Sequence, residues 1–290
     1  MKKTYFCTLK MRTQINMDET KLIDVRRVLH QKAPKIAKKI PGFLVNYLIR
    51  TIHQEEINDF IVRNQHLDGV VFMRAFLDEF NITIEVYGMN HIPKDGRKCI
   101  FASNHPLGGL DGICLGALIG EQYDSKISFL VNDLLLFIPN LRSIFIPINK
   151  HGAQGRQAAL QIEEAFKSDR QILTFPAGLC SRKQKGEIRD LEWKKSFIQK
   201  AIAHKRDIVP VYFEGQNSSF FYRLANFRKR TGIKMNFEML YLPDEMYKQK
   251  NSLFRIHFGQ PVQWQTFDDS KKPAEWAEWM KQKVYLLKEI

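Results

Sequence analysis

Residues 98–120 read KCIFASNHPLGGLDGICLGALIG, and this stretch decides the fold class. It opens as a short apolar run, becomes polar at Asn104, passes two adjacent glycines and resumes with apolar residues at helical spacing. A buried strand, a glycine loop and a helix in this order are typical of an α/β unit. Because ligands of open α/β sheets bind at the carboxyl ends of strands, the loop is the first candidate for a functional site.

Similar patterns recur along the rest of the chain, where short apolar runs predict strands and three-to-four spacing predicts helices. The predicted strands include ITIEVYG (82–88), QILTFP (171–176), DIVPVYFEG (207–215) and FEMLYL (237–242), and further apolar runs of strand length are SKISFLVN (125–132), FIPINK (145–150) and FRIHFGQPV (254–262). The predicted helices are GRQAALQIEEAFKSD (155–169), LEWKKSFIQKAIAHK (191–205) and AEWAEWMKQKVYLLKEI (274–290). Strands that alternate with helices favour parallel pairing. We therefore predict an α/β fold with a mixed, largely parallel central sheet flanked by helices, in one domain over residues 81–290.

The N-terminal part of the chain differs from this pattern. Residues 1–18 are polar and unpatterned, so we expect a disordered tail. Residues 19–80 form a predicted helical element that prolines at 34 and 41 interrupt. Lysines at 35, 38 and 39 lie close before the apolar cluster FLVNYLI (43–49). A helix that is basic on one side and apolar on the other can lie in a membrane interface, so we expect this element to associate with a membrane. The alternative is a helical cap that packs on the main domain with solvated lysines.

The chain is strongly basic and has a globular composition. Its 290 residues carry 45 Lys and Arg against 31 Asp and Glu, a net charge of +14, and 44% of them are hydrophobic. Such a surface attracts polyanions, which include nucleic acid, an anionic membrane surface and an acidic carrier protein. The basic residues are spread along the chain without a nucleic-acid-binding motif, so we expect no nucleic acid partner.

Cysteine and histidine spacing limits the location and the chemistry. The four cysteines form no CxxC pair, which suits a reducing compartment, and no HExxH or HxxxH spacing occurs, so we expect no metal site. The N-terminus lacks the apolar run of a signal peptide, and no apolar stretch approaches the roughly 18 residues of a membrane-spanning helix. We expect a cytoplasmic protein that is peripheral on the inner face of the cell membrane.

His105 and Asp111 enclose the glycine loop and form the candidate catalytic pair. A neutral imidazole can take a proton from an alcohol near pH 7, and a carboxylate on its other nitrogen fixes the tautomer. Gly108 and Gly109 permit backbone turns that can bring Asp111 back to His105. The alternative interpretation is an ordinary turn with Asp111 as a helix cap and an incidental histidine.

With these residues in view, NHPLGGLDG resembles the first motif of the PlsC-type lysophospholipid and glycerolipid acyltransferases. In that family the motif is usually NH, four residues and Asp, whereas five residues intervene here. SIFIPINK resembles the second motif, with Asn149 and Lys150 where the family usually has Asp and Arg. TFPAGLCSR resembles the third, with Ala177 and Cys180 in place of its Glu and Arg, and DIVPVYFEG resembles the fourth. The resemblance covers roughly residues 80–215.

The resemblance implies acyl transfer from a thioester to a hydroxyl of a lysolipid acceptor in membrane lipid biosynthesis, without an acyl-enzyme. His105 is then the general base that Asp111 orients, and Asn104 is an orienting amide or simply the end of a strand. The donor is acyl carrier protein or coenzyme A carrying the acyl group, as a co-substrate rather than a cofactor. The predicted substrate-binding residues are Asn104, Gly108, Gly109, Asn149, Lys150, Phe175, Pro176, Gly178, Ser181, Arg182 and Glu214.

The altered motifs leave the acceptor open. In the family the second and third motifs are thought to hold the phosphate and glycerol of 1-acylglycerol-3-phosphate. Lys150 and Arg182 can still hold an anionic head group, and Glu214 is a candidate replacement for the missing glutamate. A lyso-aminolipid, an N-acylated amino acid with a hydroxyl on its acyl chain, is therefore the second candidate acceptor. A non-catalytic, basic membrane-binding adaptor of the same fold and, with less support, a nucleic-acid-binding protein are the alternatives to an enzyme.

Overall fold

The computed structural model describes residues 23–32, 34, 39–131, 138–148, 152–184 and 186–289. The predicted tail, Asn149 and Lys150 lie outside these ranges. The helices are α1 (Val25–Lys32), α2 (Gly42–Thr51), α3 (Gln54–Arg63), α4 (Gly69–Glu79), α5 (Leu110–Gln122), α6 (Gly152–Lys167), α7 (Ser196–His204), α8 (Ser219–Thr231), α9 (Leu242–Tyr247) and α10 (Pro273–Leu286). The strands are β1 (Thr83–Tyr87), β2 (Cys99–Ser103), β3 (Ile127–Val131), β4 (Phe145–Pro147), β5 (Gln171–Thr174), β6 (Arg182–Gln184), β7 (Glu187–Arg189), β8 (Asp207–Glu214) and β9 (Leu253–Phe258).

Within the described residues, seven of these strands form one sheet in the order β1-β9-β8-β2-β5-β3-β4. Neighbouring strands run parallel except β8 and β9, which are antiparallel. The fold class is therefore confirmed as a mixed, largely parallel sheet. The strand β2 lies between β8 and β5, so the loop that follows it opens at the carboxyl edge of the sheet centre.

The side chains of the central strands alternate between two apolar layers. Phe101, Leu173 and Val209 point into a core built largely with α3, α4 and α5. Their neighbours Ile100, Ile172 and Ile208 point into a second core with α6, α7 and α10. This alternation gives a strand hydrophobic on both faces, as expected for a sheet covered by helices on each side.

The helix after the glycine loop packs closely against α4. A Cβ atom added at Gly116 would overlap Met73, and one added at Gly120 would overlap Val70. The two glycines therefore let α5 approach α4 more closely than larger residues would permit, and this contact fixes the helix on which Asp111 lies.

Two predicted segments differ from the structure. FEMLYL, predicted as a strand, is a 3₁₀ helix over Phe237–Tyr241 that continues into α9, so that prediction was wrong. Between β5 and α7, where no strand is predicted from the sequence, the chain forms the antiparallel hairpin β6–β7, with Gly186 at φ +90° in its turn.

The helices α1–α4 precede the first strand. The predicted boundary between the N-terminal helical element and the α/β domain, at residues 80 and 81, stays a prediction. Phe60 and Ile61 of α3 are buried in the core of the main sheet, whereas α2 exposes Phe43, Leu44 and Tyr47. Within the described ranges, no helix combines the length and the apolar character needed to cross a membrane.

Candidate active site

The glycine loop places His105 against Asp111 at the carboxyl end of β2. Their side chains meet at 2.9 Å between Nδ1 and Oδ2. Gly108 adopts φ +77°, the left-handed region that favours glycine, and this turn returns the chain to the histidine. The extra residue in the first motif is therefore accommodated in the loop, and the pair is formed.

Peptide N–H groups surround the Asp111 carboxylate. The N–H groups of Leu107, Gly109 and Gly112 donate to it at 2.9, 3.0 and 2.9 Å. Burial raises the pKa of Asp111, but the charge and hydrogen bond of His105 and the N–H donors outweigh burial, so the pKa lies below its ordinary value. Asp111 is therefore a fully buried carboxylate that stays ionised.

The imidazole of His105 takes its protonation state from this partner. Burial lowers the pKa of His105, but the charge of Asp111 and the hydrogen bond to it outweigh burial and raise the pKa above 6.5. Because Asp111 can only accept, Nδ1 carries the proton in the neutral ring. This tautomer leaves a lone pair on Nε2, the atom that can receive a proton from a substrate.

The third-motif segment covers one face of the imidazole. The Phe175 ring stacks on the His105 ring at 4.0 Å between centroids with an interplanar angle of 18°. The chain then turns, since Gly178 N–H donates to the Phe175 carbonyl and Gly178 adopts φ +68°. The Pro176 carbonyl accepts from Lys194 N–H, which ties the turn to the segment before α7. This packing restricts rotation of the histidine ring.

Asn104 anchors the loop to the neighbouring strand. Its side-chain amide donates to the Phe213 carbonyl at 3.0 Å, and its Oδ1 accepts from Phe213 N–H at 2.7 Å. The amide therefore extends the pairing of β2 with β8 by one side-chain bridge. It fixes the backbone from which His105 projects, rather than the imidazole itself.

Asp190 also belongs to the site, and the sequence analysis missed it. Its Oδ1 accepts from His105 N–H at 3.2 Å and from Ser181 Oγ at 2.6 Å, and its Oδ2 accepts from Trp193 Nε1 at 2.9 Å. Ser181 N–H in turn donates to the His105 carbonyl at 2.8 Å. Asp190 therefore joins the first motif to the third behind the glycine loop, and its pKa is raised by burial.

The hairpin gives a signal that could have located Asp190. Its register pairs Arg182 with Arg189, so the residues just outside it, Ser181 and Asp190, face each other. Gly186 between two charged segments indicates such a turn in the sequence, but no hairpin was predicted there.

Arg182, the predicted anion ligand, lies behind the loop and has an acidic partner. Its guanidinium lies 3.0 Å from Oε1 of the fully buried Glu238 and donates to the Cys180 carbonyl at 2.7 Å. Oε2 of Glu238 lies 2.8 Å from Arg228 Nε of α8. The sequence did not indicate a role for Glu238, because the segment FEMLYL that contains it was predicted as a strand away from the site.

The remaining predicted residues fall outside this cluster. Glu214, at the end of β8, pairs with His257 at 2.8 Å and lies 3.9 Å from Arg255, both on β9. Asn149 and Lys150 lie outside the described residues. Of the two altered third-motif positions, Ala177 is buried in the second core and Cys180 is fully buried beside Phe221.

The described part of the chain holds no group of three or more His, Cys, Asp or Glu side chains that could bind a metal ion. Its cysteines Cys99, Cys114 and Cys180 are buried, and burial raises their thiol pKa values, for Cys180 to about 11. A thiol held protonated in this way is a poor nucleophile. The His105–Asp111 pair stays the candidate catalytic pair.

A histidine–carboxylate pair at the carboxyl edge of an α/β sheet is an arrangement suited to enzymes that take a proton from a hydroxyl group. A family model described as "Acyltransferase" matches residues 27–290. The chain belongs to this acyltransferase family.

Two curated relatives resemble the chain over nearly its whole length. A lyso-glycine lipid O-acyltransferase of Bacteroides thetaiotaomicron is 51% identical over 270 residues, which are 93% of this chain and 99% of that protein. The protein of the same name from Phocaeicola vulgatus is 48% identical over 270 residues, covering 93% of this chain and 96% of its own length.

A solved structure also resembles the chain. The 1-acyl-sn-glycerophosphate (LPA) acyltransferase PlsC from Thermotoga maritima is 17% identical and superposes with a TM-score of 0.46. The match covers 84% of this chain and 93% of that chain.

Proposed function

We propose that this acyltransferase moves a fatty acyl group from a thioester to the hydroxyl of a lyso-glycine lipid, which is a glycine N-acylated by a chain that bears the hydroxyl. The observation that carries the proposal is the His105–Asp111 pair at 2.9 Å, with Nε2 left as the proton acceptor. The two relatives named for this acceptor, at 51% and 48% identity, support the choice of substrate.

In the proposed reaction His105 acts first as a base and then as an acid. Nε2 takes the hydroxyl proton as the acceptor oxygen attacks the thioester carbonyl, and Asp111 stabilises the resulting imidazolium. The tetrahedral intermediate collapses, the C–S bond breaks and the proton on Nε2 passes to the leaving sulfur. The products are an ester and a free thiol, and the histidine returns to its neutral state.

The transfer is direct, without an acyl-enzyme. The described cysteines are buried and have raised pKa values, which opposes a thiolate nucleophile. The buried Ser181 hydroxyl already donates to Asp190 at 2.6 Å. Direct attack by the acceptor needs only the base and the oriented substrates.

The third-motif segment favours an acceptor other than a glycerol phosphate. Ala177 is apolar and buried, Cys180 carries no charge, and Glu238 compensates one of the two guanidinium charges of Arg182 and Arg228. A phosphate with two negative charges needs more uncompensated positive charge than this segment offers. The single carboxylate of a glycine lipid has a smaller requirement.

The donor is an acyl group on acyl carrier protein or on coenzyme A, and the enzyme works at the anionic inner face of the cell membrane. The net charge of +14 supports both partners, because acidic carrier proteins and anionic lipids are attracted to a basic surface. The exposed apolar residues of α2, among them Phe43 and Tyr47, support the membrane as the place of work.

Turnover of the purified protein tests the proposal. The acceptors are a hydroxylated N-acyl glycine and 1-acylglycerol-3-phosphate, each offered with palmitoyl-coenzyme A and with palmitoyl-acyl carrier protein. We expect an ester product from the glycine lipid with at least one donor and little or none from the phosphate. Acylation of 1-acylglycerol-3-phosphate alone would contradict the proposed acceptor, and no transfer to either would contradict the proposed reaction.

A further inference from the structure

The outward face of α8 carries aromatic and basic side chains together. Phe220, Arg223, Phe227 and Arg230 are exposed and recur at three-to-four spacing, so they share one face of the helix. The opposite face, with Phe221 and Ala225, is buried. A solvated helix face is ordinarily polar, yet Phe227 is 57% exposed between two arginines.

The same character continues past the end of α8. Ile233 and Met235 are exposed, Met235 by 62%, and Lys234 lies between them. The sequence between 219 and 241 contains one acidic residue, Glu238, which is fully buried between Arg182 and Arg228. We call the exposed set Phe220, Arg223, Phe227, Arg230, Ile233 and Met235 the α8 surface.

The α8 surface is continuous with the exposed part of α2. Tyr241 bridges them, since its hydroxyl lies 3.0 Å from the Tyr47 hydroxyl and its ring meets the Phe220 ring edge-on at 5.1 Å. Phe43, on the same helix as Tyr47, is 70% exposed. Segments almost two hundred residues apart in the sequence therefore present apolar side chains side by side.

We propose that the α8 surface docks on an anionic phospholipid bilayer, as a second contact besides the N-terminal helices. Arginines attract the charged lipid surface, and exposed Phe, Ile and Met side chains can enter the boundary between head groups and acyl chains. An acidic protein partner would match the arginines, but the apolar side chains continue onto α2, which belongs to the element expected to lie in a membrane interface. An anionic bilayer accounts for both the arginines and the exposed apolar side chains.

Direct contacts link this surface to the catalytic loop. Asn217, two residues before α8, donates its side-chain amide to the Pro106 carbonyl at 3.2 Å. Arg228 of α8 shares Glu238 with Arg182 of the third-motif segment. Docking through α8 therefore places the carboxyl edge of the sheet near the lipid surface. This consequence rests on the proposed function, whereas membrane binding itself can be measured without turnover.

Vesicle co-sedimentation of the full-length protein tests the inference. The vesicles are phosphatidylcholine alone and phosphatidylcholine mixed with phosphatidylglycerol. We expect the double variant Phe227→Ser/Met235→Ser to bind the mixed vesicles at least about tenfold more weakly, because the burial of both apolar side chains is lost. Arg223→Glu/Arg230→Glu should weaken binding at least as much, and only on the anionic vesicles.

Matched control variants separate this site from general hydrophobicity and charge. Leu160→Ser removes a side chain that is 64% exposed on α6, which packs on α7 and β4. Lys94→Glu/Lys167→Glu reverses two exposed charges that precede β2 and β5, at the opposite edge of the sheet. We expect the apolar control to bind like the parent protein and the charge control to lose much less affinity than the arginine variant.

The outcomes distinguish the alternatives. Unchanged vesicle binding of both α8 variants would overturn the inference, as would an equal loss in the controls. Unchanged vesicle binding with weakened binding of acyl carrier protein by Arg223→Glu/Arg230→Glu would assign the surface to a protein partner instead. Weakened vesicle binding with unchanged turnover of a short-chain, water-soluble, hydroxylated N-acyl glycine would support docking. Vesicle binding by a protein that acylates no lipid would leave docking standing and remove the proposed function.

Discussion

At the scale of single residues, the site depends on how Asp111 is kept ionised inside the protein. A buried carboxylate is costly without donors, and the loop and the first turn of α5 supply four peptide N–H groups besides the imidazole. The ionised partner then raises the pKa of His105. The same contacts therefore determine both the orientation and the proton affinity of the proposed base.

This coupling predicts the pH dependence of acyl transfer. His105 must be neutral to take a proton, so kcat/KM should fall as pH drops through a pKa that lies above 6.5. Asp111→Asn removes the charge that raises this pKa and leaves the effect of burial, which lowers it. We expect the acidic limb of that variant to move to lower pH, with a rate about 10²-fold or more below the parent protein. An unmoved acidic limb would exclude His105 as the titrating base.

Asp190 gives a second prediction at this scale. In Asp190→Asn an amide replaces a carboxylate that accepts from His105 N–H, Ser181 Oγ and Trp193 Nε1, so one donor loses its acceptor. We expect a loss of about 1–3 kcal/mol in the free energy of unfolding, together with slower turnover and an acidic limb shifted to lower pH. Urea unfolding and a pH–rate profile measure these effects. The exposed hairpin residue Glu187, changed to Gln, is the control, and equal behaviour of the two variants would contradict a role for Asp190.

Much of the candidate site could be named from the sequence, because the motifs are local. His105, Asp111 and the two glycines lie within seven residues, and backbone geometry alone can join them. Asp190 lies 85 residues from His105, and only the hairpin register brings it there. Glu214 was predicted from its position at a strand end, and its side chain pairs with His257 on β9. Its role in substrate binding stays a prediction.

At the scale of elements, the segment FEMLYL shows that tertiary contacts can override the secondary structure that the residue types predict. FEMLYL is largely apolar and of strand length, but Pro243 follows it, and a residue without an N–H suits a helix start better than a sheet ladder. The buried Glu238 is also held by two arginines, which no sheet face would provide. The central strands were predictable because they are short, apolar on both faces and bounded by turn residues.

The close approach of α4 and α5 can be tested through its glycines. In Gly120→Ala the new methyl group would overlap Val70, so we expect a loss of about 1–3 kcal/mol in the free energy of unfolding. Gly42→Ala is the control, because nothing lies within 4 Å of a Cβ atom there. Chemical denaturation of both variants measures the difference. Equal stability of the two would show that α4 and α5 are not packed as closely as described.

At the scale of the whole molecule, a net charge of +14 combines with exposed apolar side chains on α2 and α8. Composition alone showed the charge but could not place it, since the basic residues are spread along the chain. Folding brings α2 next to the segment after α8, and no spacing in the sequence indicates that contact. The predicted role of the N-terminal helices is thereby extended to a surface built from both parts of the chain.

The combination predicts how vesicle binding responds to salt. Raising the salt concentration from about 0.1 M to about 1 M shortens the Debye length from about 10 to about 3 Å. We expect binding to vesicles that contain phosphatidylglycerol to weaken several-fold but to persist, because apolar burial is not screened. Co-sedimentation at both concentrations measures this. Complete loss at high salt would contradict the apolar contribution, and no change would contradict the electrostatic one.

The proposed reaction requires His105 to take the proton from the acceptor hydroxyl. The most direct measurement is turnover of purified His105→Ala with the N-acyl glycine acceptor and the better of the two donors, after circular dichroism and thermal unfolding show that the variant is folded. We expect a rate reduced by about 10²–10⁴-fold or more. A folded His105→Ala protein that transfers the acyl group at the rate of the parent protein would contradict the proposed reaction.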